Sequence, residues 1–204
     1  MWALIEDNTI TKIINNPKAM VIGDTQYSRN IFSFRWSNAE REAIGLYEIV
    51  FNNTNKKDEA YYINTNQSFA FADGVVTASF GSATAKAHAD ANATDSDGND
   101  LDPVVVIPGL KTNKIKIVKA QAATILQETD WYIVRKADAD TAIPSAITTF
   151  RAAVRTKAAA METLITNASN TPAIETLYTY VNTADEGDPV VMERPLGEFP
   201  ILGS

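Results

Sequence analysis

Over the first 80 positions, apolar and polar residues alternate across short stretches, which is the period of half-buried strands. Trp2–Ile5 and Thr9–Ile14 flank Asp7-Asn8, and both turn residues tolerate left-handed backbone, so a tight hairpin is predicted. Ser68–Ala72 and Val75–Phe80 flank Asp73-Gly74, the strongest hairpin signal in the chain. Phe32–Trp36, Leu46–Phe51 and Ala60–Ile63 read as further strands. Ser37 and Glu40 have capping-box spacing and Gly45 supplies a stop, which predicts a helix of about two turns between them.

The pattern then changes twice. Residues 81–103 hold no bulky apolar side chain except Leu101, and such a stretch cannot offset its ordering entropy by burial. From residue 111 the period becomes helical. Ile115, Val118, Ala122, Ile125 and Leu126 form one stripe. Ile147, Phe150, Val154, Ala158, Met161, Ile165 and Ala168 form a second, coiled-coil-like seam that begins near Ile143-Pro144. The two stripes predict a helical hairpin. Thr171-Pro172 opens a short third helix with Ile174, Leu177 and Val181 on one face, and the tail has the composition of extended chain. The expected fold is therefore α+β. A small antiparallel β-rich domain with one short helix occupies 1–80, a flexible acidic Ala/Asp linker 81–110, a helical domain 111–183, and an extended acidic tail 184–204.

Composition removes most chemistry. The chain has 204 residues, no cysteine and one histidine. Disulfides, thiolate metal sites and cysteine nucleophiles are excluded, and His88 has no visible orienting partner. The loop from Asp95 resembles a calcium loop, but a glycine is required at its sixth place and a glutamate at its twelfth, where Asp100 and Val106 stand. No glycine-rich phosphate loop is present. No catalytic, cofactor-binding or metal-ligating residue is assigned, and a non-enzymatic role is expected.

The formal net charge is −7. Counting by block, residues 81–110 carry one basic and five acidic groups, 184–204 one and five, whereas 111–183 carry nine basic and six acidic. That mild excess is far from a phosphate-neutralising face, so nucleic acid is not an expected partner. The apolar runs are too short to span a bilayer, and the N-terminus lacks a basic signal region. Trp131, Tyr132, Arg135, Arg151 and Arg155 combine large aromatics with arginines, the types that anchor protein interfaces. A second reading makes the β-rich block a ligand- or glycan-binding module with Tyr47, Tyr61, Tyr62 and Phe69 as an exposed platform.

The order of Trp131, Arg135, Ile143-Pro144, Phe150-Arg151, Val154 and Arg155 within residues 129–155 resembles the C-terminal segment of tail-fibre assembly proteins and related small tail proteins of tailed bacteriophages. The opening Met1–Asn8, followed by β-rich sequence, also resembles the start of such proteins. The resemblance implies a phage protein made in the host cytoplasm, without enzymatic activity or cofactor. It would bind tail-fibre or baseplate protein, either as an assembly chaperone or as an adaptor retained in the virion tail, where it could form an oligomer.

Overall fold

The computed structural model describes residues 1–203 and divides into two compact units, Met1–Thr84 and a second from Ala85 onward. The chain is α+β, with strands dominating the first unit and helices the second.

In the first unit, β1 (Trp2–Glu6) and β2 (Thr9–Ile14) form the Asp7-Asn8 hairpin, with both turn residues at positive φ. A second hairpin, β3 (Met20–Ile22) with β4 (Thr25–Tyr27), leads into a 3-10 turn at Arg29–Phe32. Phe32–Trp36, expected as a strand, is thus turn and bend. Phe32 and Trp36 serve as a lid, Phe32 edge-on to Trp2 at 5.7 Å and Trp36 edge-on to Tyr27 at 6.0 Å, whereas Phe34 is exposed. Helix α1 (Asn38–Glu42) begins at the capping box, where Ser37 and Glu40 exchange side-chain and backbone hydrogen bonds. It ends at Gly45, whose φ is +78° and whose added Cβ would meet the Ile5 carbonyl oxygen at 2.4 Å.

Strand β5 (Leu46–Asn52) follows, then the two-residue β6 (Tyr62–Ile63), β7 (Ser68–Ala72) and β8 (Val75–Ser79). The main sheet has the order β2-β1-β5-β8-β7. Its β5–β8 pair is parallel, so the sheet is mixed rather than purely antiparallel. Its edge strands β2 and β7 approach one another, which curls the sheet into a half-barrel. Ala3, Ile5, Ile49, Val76 and Ala78 fill one face. Leu46, Ile14 and Ile31 form a second cluster under the β3–β4 hairpin and the 3-10 turn. Arg41 is buried there, with Nε donating to the Ile31 carbonyl at 2.8 Å, Nη1 to Asn38 Oδ1 at 2.9 Å and Nη2 to the Ser33 carbonyl. Its charge also lies 4.8 Å above the Trp2 ring.

The second unit opens with β9 (Thr84–Ala85), which spans the division, then β10 (Ala91–Asn92) and β11 (Val106–Ile107), which pair antiparallel. The stretch expected as a flexible linker is therefore hydrogen-bonded chain. The carbonyls of Ala87 and His88 accept from the N–H groups of Leu110 and Lys111, and the Asp90 carboxylate accepts from Gly109 N–H at 2.7 Å. These groups satisfy the orphan donors at the start of α2 (Leu110–Gln127). Thr171 Oγ1 donates to the Lys86 carbonyl at 2.9 Å, and His88 Nε2 lies 3.0 Å from the Ala168 carbonyl. The segment is held by polar partners rather than by apolar burial, so its lack of bulky apolar residues does not make it loose.

Helices α2, α3 (Asp130–Ala139), α4 (Ser145–Asn167) and α5 (Thr171–Tyr178) complete the unit, with α2 packed on α4 as the expected hairpin. Val118 and Ala122 of α2 meet Phe150, Val154, Ala158, Met161 and Ile165 of α4. Burying each of the larger of these, Val118, Phe150, Val154, Met161 and Ile165, is worth roughly 1.5–3 kcal/mol. The tail is not wholly extended. It forms the hairpin β12 (Val181–Asn182) with β13 (Met192–Glu193), and Leu196 then inserts into the helical core.

Candidate interaction surface

Helix α3 departs from every other helix longer than one turn. None of its ten residues is buried. Its N-terminus follows Thr129, whose hydroxyl donates to the Leu126 carbonyl at 3.0 Å and turns the chain out of α2. A polar segment with Asp140 in the left-handed region ends it. Such a short helix without a buried face gains little from its own core. It nevertheless presents Trp131, Ile133 and Val134 to solvent, at 50%, 41% and 65% exposure.

An aromatic–cation cluster spans the first two turns of α3. The Trp131 and Tyr132 rings lie 3.8 Å apart between centroids, with their planes tilted by 31°. The Arg135 guanidinium sits 4.8 Å from the first ring and 5.3 Å from the second. Stacking on two ring faces holds the cation while leaving it charged. Arg135 Nε is buried and lacks a hydrogen-bond partner. Trp131, Tyr132 and Arg135 thus form one assembled cluster.

The two remaining candidates separate. Arg155 is exposed on α4. Arg151, one turn earlier, is only 7% exposed. Its Nη1 donates to the Leu126 carbonyl and to Thr129 Oγ1, both at 2.7 Å, and lies 2.9 Å from Asp130 Oδ1. Arg151 caps the C-terminus of α2 and is not on the surface. The cause lies in the α4 stripe, which is wide enough to take in residue 151 beside Phe150 and Val154.

The alternative aromatic platform is not assembled. Tyr61 and Tyr62 are buried, and Tyr47 packs edge-on to Phe71 at 4.9 Å within the sheet core.

An apolar groove of about 650 Å³ also lies along α2, lined by Ile117, Ile125, Phe199 and Ile201 with Arg194 and Glu198 at its rim. Arg194 Nη2 donates to Glu198 Oε2 at 2.7 Å, and Tyr180 Oη donates to Glu198 Oε1 at 2.5 Å. That hydrogen bond to the carboxylate raises the Tyr180 phenol above its ordinary range. Sequence reasoning missed the groove because its far wall comes from the tail. The signal available was the apolar spacing Leu196, Phe199, Ile201.

Among the described residues, no group of three His, Asp or Glu side chains is arranged to hold a metal ion, and no helix is long and apolar enough to cross a membrane. Comparison with protein-family models, curated proteins and solved structures returns no match. The class that fold and surface define is a two-unit α+β protein whose second unit projects an aromatic–arginine helix. Its function is therefore argued from those residues.

Proposed function

We propose that the chain is a non-enzymatic bacteriophage tail protein that binds a tail-fibre or baseplate protein through α3, acting in the host cytoplasm during assembly or remaining in the virion. The observation that carries the binding role is a ten-residue helix with no buried residue and an arginine stacked over two adjacent aromatic rings. Trp, Tyr and Arg dominate the energetics of protein interfaces because each combines a large apolar area with a polar handle. The tail assignment is supported by the resemblance of residues 129–155. Arg155, exposed on α4, is the second part of the proposed surface, and Arg151 fixes the α2–α3 corner from which α3 departs.

The test is co-expression with a tail-fibre protein and with a baseplate protein of a tailed phage. Trp131→Ala, Arg135→Ala and Arg155→Ala are measured for co-purification and for thermal stability. Anchors of this type cost about 2 kcal/mol or more on truncation, roughly thirtyfold in affinity. Loss of co-purification with unchanged melting supports the surface, and intact co-purification rejects it. Mass spectrometry of purified virions then separates the two roles, since an adaptor is present at fixed stoichiometry and a chaperone is absent.

A further inference from the structure

The first unit carries a concavity that the α3 surface does not involve. Side chains alternate along a strand, so Leu46, Glu48 and Val50 of β5 share the face that turns away from the Ala3, Ile49 and Val76 cluster. Trp2 of β1 lies directly opposite Glu48, and its ring is covered on that face by the Arg41 guanidinium of α1 at 4.8 Å. Val75 of β8 lies on the same side, next to the inward Val76. Between α1 and these strands lies a concavity of about 250 Å³, lined by Trp2, Arg41, Glu42, Glu48, Val50 and Val75. It has the volume of roughly eight waters, which limits an occupant to on the order of ten non-hydrogen atoms.

Arg41 is the unusual member of this lining. It is 6% exposed, so its charge is largely out of water. Its hydrogen bonds all go to neutral acceptors, the Ile31 and Ser33 carbonyls and the Asn38 amide oxygen. A guanidinium has five N–H donors, so two are left over. Among the described residues no carboxylate pairs with it, and Glu40 is turned into the capping box on Ser37. A buried cation without a counter-charge is costly. Glu42 and Glu48 line the same concavity, are exposed, and make no ion pair either. A simple anion would satisfy Arg41 but be repelled by both glutamates, and an uncharged polyol would leave the charges unmatched. A small zwitterion satisfies both, with charge-assisted hydrogen bonds at each end. We infer that this concavity binds a free aliphatic α-amino acid, its carboxylate on Arg41, its ammonium on Glu48 and Glu42, and its side chain against Val50 and Val75. Those two valines are otherwise about half exposed. The inference stands independently of the α3 reading and of the phage assignment.

The test is titration of the full chain with L-valine, N-acetyl-L-valine, L-valinamide, sodium acetate and glucose, followed by calorimetry and by the Trp2 indole N–H resonance. L-Valine is expected to bind with a Kd of about 1 mM or tighter and to shift Trp2 but not Trp131. The N-acetyl and amide forms each lose one charged hydrogen-bonding end and are expected to bind about tenfold more weakly or worse. Arg41 also holds the 3-10 turn, so it is left in place and two exposed positions are changed instead. Glu48→Gln is expected to weaken L-valine binding by about tenfold. Val75→Trp fills the concavity and is expected to abolish binding, and both variants should keep the wild-type circular dichroism. The inference is overturned if L-valine leaves Trp2 unshifted, if the N-acetyl or amide form binds as well as the free amino acid, or if binding survives either variant. Binding of acetate or glucose in preference to L-valine overturns it too, and reassigns the concavity to an anion or a polyol.

Discussion

Arg151→Met is the perturbation that most directly examines how the helical unit is held. Methionine keeps most of the aliphatic bulk against Phe150 and Val154 and removes the guanidinium. The loss comprises two hydrogen bonds from a buried cation, at 2.7 Å each, and one ion pair at 2.9 Å. Hydrogen bonds to charged groups are worth about 1.5–3 kcal/mol apiece, offset in part by the cost of desolvating the cation. The Leu126 carbonyl keeps a partner, because Thr129 Oγ1 also donates to it at 3.0 Å. Asp130 is more than half exposed and rehydrates freely. A net loss of about 2–3 kcal/mol follows, which for a chain of this size lowers Tm by roughly 5–10 °C. The assay is thermal unfolding followed at 222 nm, where the helices dominate. The companion Asp130→Ala removes only the exposed partner and should cost under about 1 kcal/mol. If the two variants cost the same, the ion pair rather than the α2 cap carries the energy, and the account of Arg151 is refuted.

Leu196→Ala should destabilise the helical unit by about 2–4 kcal/mol despite its place in the tail, because the side chain is 2% exposed in the core; urea unfolding checks this. Gly109→Ala should cost about 2 kcal/mol or more in the same assay, since its Cβ would stand 2.3 Å from the Ala89 backbone, which cannot yield as a flexible side chain can. At Asp90, the Gly109 N–H and then Thr112 hold the carboxyl below its usual range, and at Asp95 the Asn99 N–H does so first. A depressed carboxyl contributes stability above its unfolded pKa, about 4, that is lost as pH falls through the folded value, so the amide-exchange protection of 87–100, taken relative to the intrinsic rate at each pH, should fall selectively below about pH 4. Asp90→Asn should shrink that acid-dependent component, and an unchanged pH profile would count against the assignment.

The elements legible in the sequence are those fixed by local chemistry or by period. Asp7-Asn8, Asp73-Gly74 and the Ser37–Glu40 box each specify backbone within four residues, and each forms as expected. The α4 stripe from Ile147 to Ile165 is legible because burial at 3.6-residue spacing repeats over several turns. Failure begins where tertiary partners decide. Phe32–Trp36 alternates like a strand, but Phe32 and Trp36 are used to cover Trp2 and Tyr27 from a turn. The order of residues 85–109 comes from the Ala87 and His88 carbonyls and the Asp90 carboxylate, which accept from N–H groups at the start of α2, from the Lys86 carbonyl, which accepts from Thr171 Oγ1, and from His88 Nε2 beside the Ala168 carbonyl. Apolarity does not register such bonds, because backbone acceptors are the same in every residue.

The candidate surface divides along the same line. Trp131, Tyr132 and Arg135 are adjacent or one turn apart, so helical spacing alone brings them together. Arg151 and Arg155 are also one turn apart, yet they end in different environments. A four-residue step rotates a helix by about 40° beyond a full turn, enough to move a side chain from the edge of a buried stripe to water. Which arginine is inside depends on an acceptor 25 residues away, the Leu126 carbonyl at the end of α2. A helix end without enough donors attracts a buried cation as surely as a carboxylate does. Arginines beside a core stripe in a helical hairpin are therefore to be weighed first against the carbonyls of the neighbouring helix terminus, and only those left over belong to a binding face. By that criterion Arg151 belongs to the fold, and Arg135 and Arg155 remain the candidates for a binding face.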